Sequence, residues 1–423
     1  MIKFLNFCIG NNKLNLLKLN IFKRIKLLFF NKVLYKTIKL NLWKKQDLII
    51  YDDIYPHPVS GFRLEEYTVL LTEIKKSKIL LSSKAYPILK TDVSLHSIHV
   101  KEIVRNNLQL RGKLKLNRGF VNLNAKLFYC IFINNIYEFI IPLEKFKIPF
   151  VFTLYPGGGF QLNDDQSDLK LKRVLSSPMF KKVIVTQHVT KDYLITNQFC
   201  AEDKITLIFG GVVPQNSLIK DDSGRKNYLV NKATLDICFC AGKYMPKGLD
   251  KGYDVFIALA HLLAKKYDFI KFHVIGGFDG KDIDISEIKD KIEFYGYQKF
   301  ENLESIFKGI DIIISPNKSF VLNKGSFDGF PLGTVVEAAL NGVLVIVTDE
   351  LNQNTNFKNN KELIITESDS LALEKVLTNL IDTPSSIIEI ANNGKLKFQQ
   401  VFSNTTQMQP RIELLQKLIN ELN

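Results

Sequence analysis

Four loops in this sequence carry residue types that could do chemistry, and each follows an apolar run that reads as a strand. Loop 242–252 (GKYMPKGLDKG) holds Lys243, Lys247 and Lys251 among Gly242, Gly248 and Gly252, just before a helical pattern. Ammonium groups there can neutralise a diphosphate, helped by the positive end of the helix dipole. A solvated lysine loop is the alternative. Residues 327–342 (FDGFPLGTVVEAALNG) place Asp328 and Glu337 at the two ends of a glycine-containing loop that runs into a helix start. Backbone N–H groups at Gly333 to Val335 would be free for phosphate, and each carboxylate can accept two hydroxyls. Thr334-x-x-Glu337 also fits a capping box, in which Glu337 only satisfies the helix start, and spacing does not choose between the two. In 155–160 (YPGGGF), three consecutive glycines allow close approach of a ligand to the backbone. The spacing is neither a dinucleotide fingerprint nor a P-loop, so a plain turn competes. The small residues of 276–280 (GGFDG) leave room for a base or a phosphate, again against a plain turn.

The elements that must position these loops alternate. Strands are expected at 47–52, 79–83, 127–133, 149–154, 182–186 and 205–209. After a polar stretch at 215–233, further strands are expected at 236–241, 271–275, 292–295, 311–315, 344–348 and 362–365. Helical periodicity falls between them, at 64–76, 93–107, 191–197, 253–266, 303–308, 334–341 and 371–380, and residues 385–423 read as two more helices. Strand–helix alternation means α/β with parallel sheets, and two series across one polar boundary mean two doubly wound, Rossmann-like domains. The expected divisions are a basic segment at 1–46, an N-terminal domain at 47–225, a C-terminal domain at 234–402 and a last helix at 403–423. Ligands of such folds bind beyond the carboxyl ends of the strands, so the chemistry belongs in the loops facing the cleft. His57 and His188 follow strands on that side and could touch an acceptor. Arg63, at the first helix start, could meet an anionic acceptor or a phosphate. His96, His99, His261 and His273 read as structural, and the pairs Asp52-Asp53 and Asp164-Asp165 as solvated turns.

Charge is unevenly placed. The chain of 423 residues has 57 Lys/Arg and 43 Asp/Glu, and residues 1–46 hold 11 of the basic side chains and no acidic one. The remainder is nearly neutral, at 46 basic against 43 acidic. Leu14, Leu17, Ile21, Ile25 and Leu28 fall at helical spacing among lysines, which suggests adsorption to an anionic membrane surface; compositional bias is the alternative. A nucleic-acid partner is disfavoured by the neutral body. No apolar run reaches the ~18–20 residues of a spanning helix. With no signal peptide recognised, a cytoplasmic location is expected, peripheral to the inner membrane face if the basic segment binds. Five cysteines, an odd number, argue against a disulfide framework, and no Cys/His spacing suggests a metal site.

Taken together, the loops resemble those of the retaining GT-B glycosyltransferases of the family-4 type (glycosyl transferases group 1), most clearly over 236–400. FCAGKYMPKGLDKGYDVFIAL is similar to that family's strand, Gly-Arg loop and Lys-Gly helix start, and FDGFPLGTVVEAALNG to its acidic motif. The resemblance implies a GT-B fold whose last helix crosses back to the N-terminal domain. Lys243 and Lys251 would hold the donor diphosphate, Asp328 would lie near the transferred sugar, and Glu337 would contact the ribose. Gly242, Gly276, Gly277, Gly329, Phe330, Pro331, Leu332, Gly333 and Thr334 would line the donor. His57, Gly61, Arg63, Tyr155, Gly157, Gly158, Gly159 and His188 would lie on the acceptor side. Asp328 is shorter than the family's glutamate, Lys243 replaces its arginine, and Tyr155-Pro156-Gly157 stands where it often has His-Gly. The implied activity is sugar transfer from a nucleotide-diphosphate sugar to a hydroxyl acceptor. The basic N-terminus fits an acceptor at a membrane face, a lipid-linked or surface-polysaccharide glycan, and because two lysines and a helix N-terminus can neutralise the diphosphate, no metal and no separate cofactor is expected. A nucleotide-sugar epimerase on the same fold and an inactive nucleotide-sugar-binding subunit are the alternatives.

Overall fold

Runs of Ile, Val, Leu and Phe too short for buried helices form the strands, and the central ones are buried along most of their length, as in parallel sheets covered on both faces. The computed structural model describes residues 36–39, 45–89, 91–116, 120–214, 218 and 222–422. The amphipathic pattern expected between Leu14 and Leu28 lies outside the described residues.

In chain order the N-terminal half runs β1 (Lys36–Ile38), β2 (Gln46–Asp52), α1 (Gly61–Glu73), β3 (Ser77–Leu81), α2 (Leu95–Asn106), β4 (Leu114–Leu116), β5 (Phe120–Asn122) and β6 (Ala125–Ile131). It continues through α3 (Ile133–Lys145), β7 (Phe150–Leu154), α4 (Asp165–Leu175), β8 (Phe180–Val185), α5 (His188–Thr196) and β9 (Ile205–Leu207). Seven of these strands form one parallel sheet in the order β4-β3-β2-β6-β7-β8-β9, and β1 pairs with β5 apart from it. One face is covered by α3 and α4 through Ile136, Phe139 and Leu171. The other is covered by α1 through Tyr67 and Leu70.

The C-terminal half runs β10 (Leu235–Cys240), α6 (Tyr253–Lys266), β11 (Ile270–Ile275), β12 (Ile292–Gly296), α7 (Phe300–Phe307), β13 (Ile312–Ser315), α8 (Gly333–Leu340), β14 (Leu344–Val347) and β15 (Ile364–Ile365). Three helices end the chain: α9 (Ser370–Asp382), α10 (Ser385–Val401) and α11 (Asn404–Glu421). Its six strands are parallel, in the order β12-β11-β10-β13-β14-β15. Cys238 and Cys240 are buried against α8 as small core residues. The last helix, α11, packs through Met408, Ile412 and Leu415 into the core of the N-terminal half.

Two helices escaped the sequence reading. The segment forming α3 is rich in β-branched and aromatic residues and carries Pro142, so its intrinsic helix preference is weak; burial of Ile136, Phe139, Ile140 and Leu143 outweighs it. The α4 segment is polar, but Asp164 caps it by accepting the Ser167 N–H at 2.8 Å. Asp164 is therefore a helix cap and not a solvated turn.

Candidate active site

In the C-terminal sheet the strand order reverses between β10 and β13, which pair through Ile237–Ile312 and Cys238–Ile313. The loops that follow these two strands open into one crevice, the position where open α/β sheets bind ligands. Lys251 ends the loop after β10 and is only 4% exposed. Its ammonium is ion-paired with Asp328, from the loop after β13, lies 3.8 Å from Asp250, and sits over the Tyr244 ring at 5.2 Å. Asp328 also accepts from Asn317 Nδ2 at 2.8 Å, and its carbonyl accepts from Gln353 Nε2 at 3.1 Å. Burial raises the Asp250 pKa, against the pull of Lys251. Gly252 is what lets the two loops meet. It has φ +68°, and a Cβ there would stand 2.1 Å from the Pro316 carbonyl oxygen.

Lys243 is held elsewhere in the same crevice. Its ammonium pairs with Asp282, on the loop after β11, and its backbone N–H donates to the Tyr297 hydroxyl at 3.3 Å. Gly276 is buried against Ala241, and Gly277 lies under the Tyr297 ring, which is itself 67% exposed. Gly242 is half-buried beside Tyr244, and Lys247 is exposed on the turn. The structure thus gives each of the two lysines a different carboxylate partner.

The start of α8 tests the capping-box reading of Thr334 and Glu337. Leu332 is the N-cap and no side chain caps the helix. Thr334 lies inside the first turn, where its hydroxyl donates to the Cys240 carbonyl at 2.9 Å. The capping box is not formed. Glu337 is buried one turn further in, and Gly333 is exposed at the open helix end. Phe330 and Pro331 are buried beneath the loop, so their side chains are core, while the Phe330 carbonyl accepts from Gln187 Nε2 at 3.2 Å. Gly329, also beside Gln187, and Leu332 are half-buried. Gln187 precedes α5 in the N-terminal half, so this contact crosses the cleft. Two more contacts cross it: Leu162 N–H donates to the Gly325 carbonyl at 2.8 Å, and the Phe160 and Phe327 rings meet edge-on at 5.8 Å.

On the N-terminal side, several expected acceptor contacts turn inward. Arg63 is committed to Asp52 at 2.9 Å and Asp53 at 2.8 Å and lies over the Phe132 ring. Asp52 is fully buried and also accepts from Ile54 N, Tyr55 N and the Tyr67 hydroxyl, so it is a hub and not a solvated turn. Desolvation raises its pKa, opposed by the Arg63 charge. His57 is buried, with Nδ1 accepting from Val59 N–H and Nε2 on the Thr91 hydroxyl, both at 3.1 Å. Burial and the neighbouring His99 push its pKa down to about 4. Tyr155 is buried and donates to Glu66 at 2.8 Å, which leaves its hydroxyl turned away from an acceptor. A Cβ on Gly158 would collide with the Phe132 ring and one on Gly159 with Asn134, so a tight turn accounts for these two. Gly157 is exposed at the tip, Gly61 begins α1, and His188 is the half-buried first residue of α5. His96 and His261 bond backbone carbonyls, and His273 bonds Asp236, in keeping with structural roles.

Sequence reasoning missed Asn317, Asp282, Gln187 and Gln353. Asn317 had a usable signal, since it follows a strand end at the reversal point. The other three are polar loop residues with none. Among the described residues, no group of three or more His, Cys, Asp or Glu is arranged to hold a metal ion, and no helix is long and apolar enough to cross a membrane.

Residues 237–397, which contain every one of these C-terminal loops, match the family described as Glycosyl transferases group 1. The C-terminal domain is thus similar to that family over most of its length. The whole chain has the two-domain GT-B fold. It is similar to a glycosyltransferase from Rickettsia africae at a TM-score of 0.59 and 15% identity, covering 89% of this chain and 99% of that one. It is similar to Anabaena HepE in complex with UDP and glucose at a TM-score of 0.61 and 13% identity, covering 88% and 100%. Sucrose-phosphate synthase from Thermosynechococcus elongatus matches at 0.59 and 14%, covering 89% and 100%. No curated protein is similar enough in sequence to match the chain.

Proposed function

We propose that this chain transfers a sugar from a nucleotide-diphosphate donor to a hydroxyl acceptor, and that the donor lies in the crevice between β10 and β13. The observation that carries the reading is the pair of buried Lys251 with half-buried Asp328, beside the uncapped N-terminus of α8. A diphosphate leaving group needs its growing negative charge neutralised more than it needs a proton. Lys251, Lys243 and the amides of Gly333 to Val335 supply positive potential without a metal. The donor phosphates would take the place that Asp282 and Asp328 occupy against the lysines, freeing Asp328 for a sugar hydroxyl. Glu337 would accept from the ribose. HepE holds UDP, which makes uridine the first base to try. The acceptor in this reading is a lipid-linked or surface-polysaccharide glycan, and the anomeric configuration is retained.

Calorimetric titration with UDP, GDP and CDP tests the site. One nucleotide should bind, and Lys251→Ala and Glu337→Gln should each weaken it about tenfold or more, the scale of one lost charged hydrogen bond. Binding that ignores both substitutions would reject the site. Conversion of the donor without an acceptor would replace transfer by epimerisation.

A further inference from the structure

The polar stretch between the two halves has no part in the donor crevice. Its residues 222–228 and one side of α10 enclose a cavity of about 200 Å³. Asp311 and Gly342, which also line it, stand just before β13 and β14. The cavity therefore lies at the amino ends of the strands, opposite the donor crevice. Both chain crossings between the halves meet here. The polar stretch joins β9 to β10, and α10 runs on into α11, which packs in the N-terminal half. The two are tied by the Lys395–Asp222 ion pair and by Gln399 Nε2, which donates to the Leu218 carbonyl at 3.0 Å.

Arg225 selects what the cavity takes. It is half-buried in the wall, and it donates Nη1 to the Phe307 carbonyl at 3.1 Å and Nη2 to the Ile310 carbonyl at 3.0 Å. A guanidinium has five N–H groups, so three remain, and no carboxylate pairs with it among the described residues. The two carboxylates on the wall are engaged elsewhere. Asp222 pairs with Lys395, while Asp311 pairs with Lys232 at 2.7 Å and accepts the Tyr228 and Asp236 N–H groups at 2.9 Å. Burial pulls the Arg225 pKa down, against the charges of Asp311 and Asp222. An oxyanion would give this cation the counter-charge it lacks, through the free N–H groups. The rest of the wall defines what the oxyanion carries. Ile387, Ile388 and Ala391 make one side apolar, and the side-chain amides of Asn227 and Asn392 make no bond among the described residues. A sugar ring matches both, with an apolar face and an edge of hydroxyls. The volume is below the ~300–1,000 Å³ of sites for drug-sized ligands, which admits one ring and not a nucleotide sugar.

We propose that this cavity binds a small acidic sugar, phosphorylated or carboxylated, which holds residues 222–228 against α10 and so clamps the two crossings between the halves. Binding here needs no nucleotide, so it stands or falls apart from the donor reading. The test is calorimetry of the full chain with ribose 5-phosphate and with glucuronate, in phosphate-free buffer, which also tells the two acids apart. At least one should bind at millimolar concentration and slow hydrogen exchange across residues 222–228 and α10. Arg225→Gln should weaken binding about tenfold or more, the scale of one lost charged hydrogen bond. Arg225 also holds two carbonyls, so Asn392→Asp is the second variant. Asn392 is exposed, so the urea midpoint should not move, while the new charge should repel the anion and weaken binding severalfold. Lys251→Ala should leave binding unchanged. Absence of binding by either acid, binding indifferent to both cavity variants, or binding without slowed exchange would overturn the proposal. Binding lost in Lys251→Ala would also overturn it, by placing the anion in the donor crevice.

Discussion

Each lysine of the crevice is defined by the carboxylate that holds it, and each histidine of the N-terminal half by what surrounds its ring. His57, His96 and His99 gather around Tyr86, and burial lowers the pKa of all three. The pKa of His57 falls from 6.5 to about 4. Between those values the unfolded chain binds a proton that the folded chain refuses. The stability that comes from the neutral ring is therefore complete above about pH 6.5 and is lost as the pH falls toward 4. Urea midpoints should drop between pH 7.5 and pH 5, and His57→Gln should reduce the drop. An identical drop in the variant would take His57 out of this account.

The elements matter through their ends. The turn after β10 is drawn onto the loop after β13 by one glycine in the left-handed region, and that contact carries Lys251 to Asp328. Gly252→Ala should cost about 2–3 kcal/mol, from strained backbone and the clash with the Pro316 carbonyl. Urea unfolding reads the loss, and a variant as stable as the parent would show that the loop relaxes freely. The start of α8 gives the converse lesson. Thr334 and Glu337 have capping-box spacing, but the helix begins two residues too early for it, because Leu332 takes the cap position.

For the whole molecule, the last helix is the second covalent route between the halves. Arg411 of α11 is fully buried and donates to the Gln407 carbonyl and, at 3.4 Å, to the Tyr155 hydroxyl. Tyr155 and Tyr129 both donate to Glu66 of α1. Removing the cation leaves a buried carboxylate without its counter-charge, so Arg411→Ala should destabilise by about 3–5 kcal/mol. Hydrogen exchange should rise first across α11 and α1. Uniform loosening of both halves would mean that Arg411 is not a local anchor.

The alternation of short apolar runs with 3.6-residue periodicity determined the fold class, since both signals are local and survive without knowledge of neighbours. Lysines and carboxylates in loops after strands were visible for the same reason, before any sheet order was known. Tertiary structure alone decided the pairings. Lys251 and Asp328 are 77 residues apart and meet because β10 and β13 are adjacent; Lys243 meets Asp282 because β11 lies on the other side of β10. It also turned Arg63, His57 and Tyr155 inward, toward Asp52, Thr91 and Glu66. A side chain's spacing along the chain says which loop it occupies. Which way it points depends on desolvation and on partners supplied by distant strands, and no local pattern encodes those.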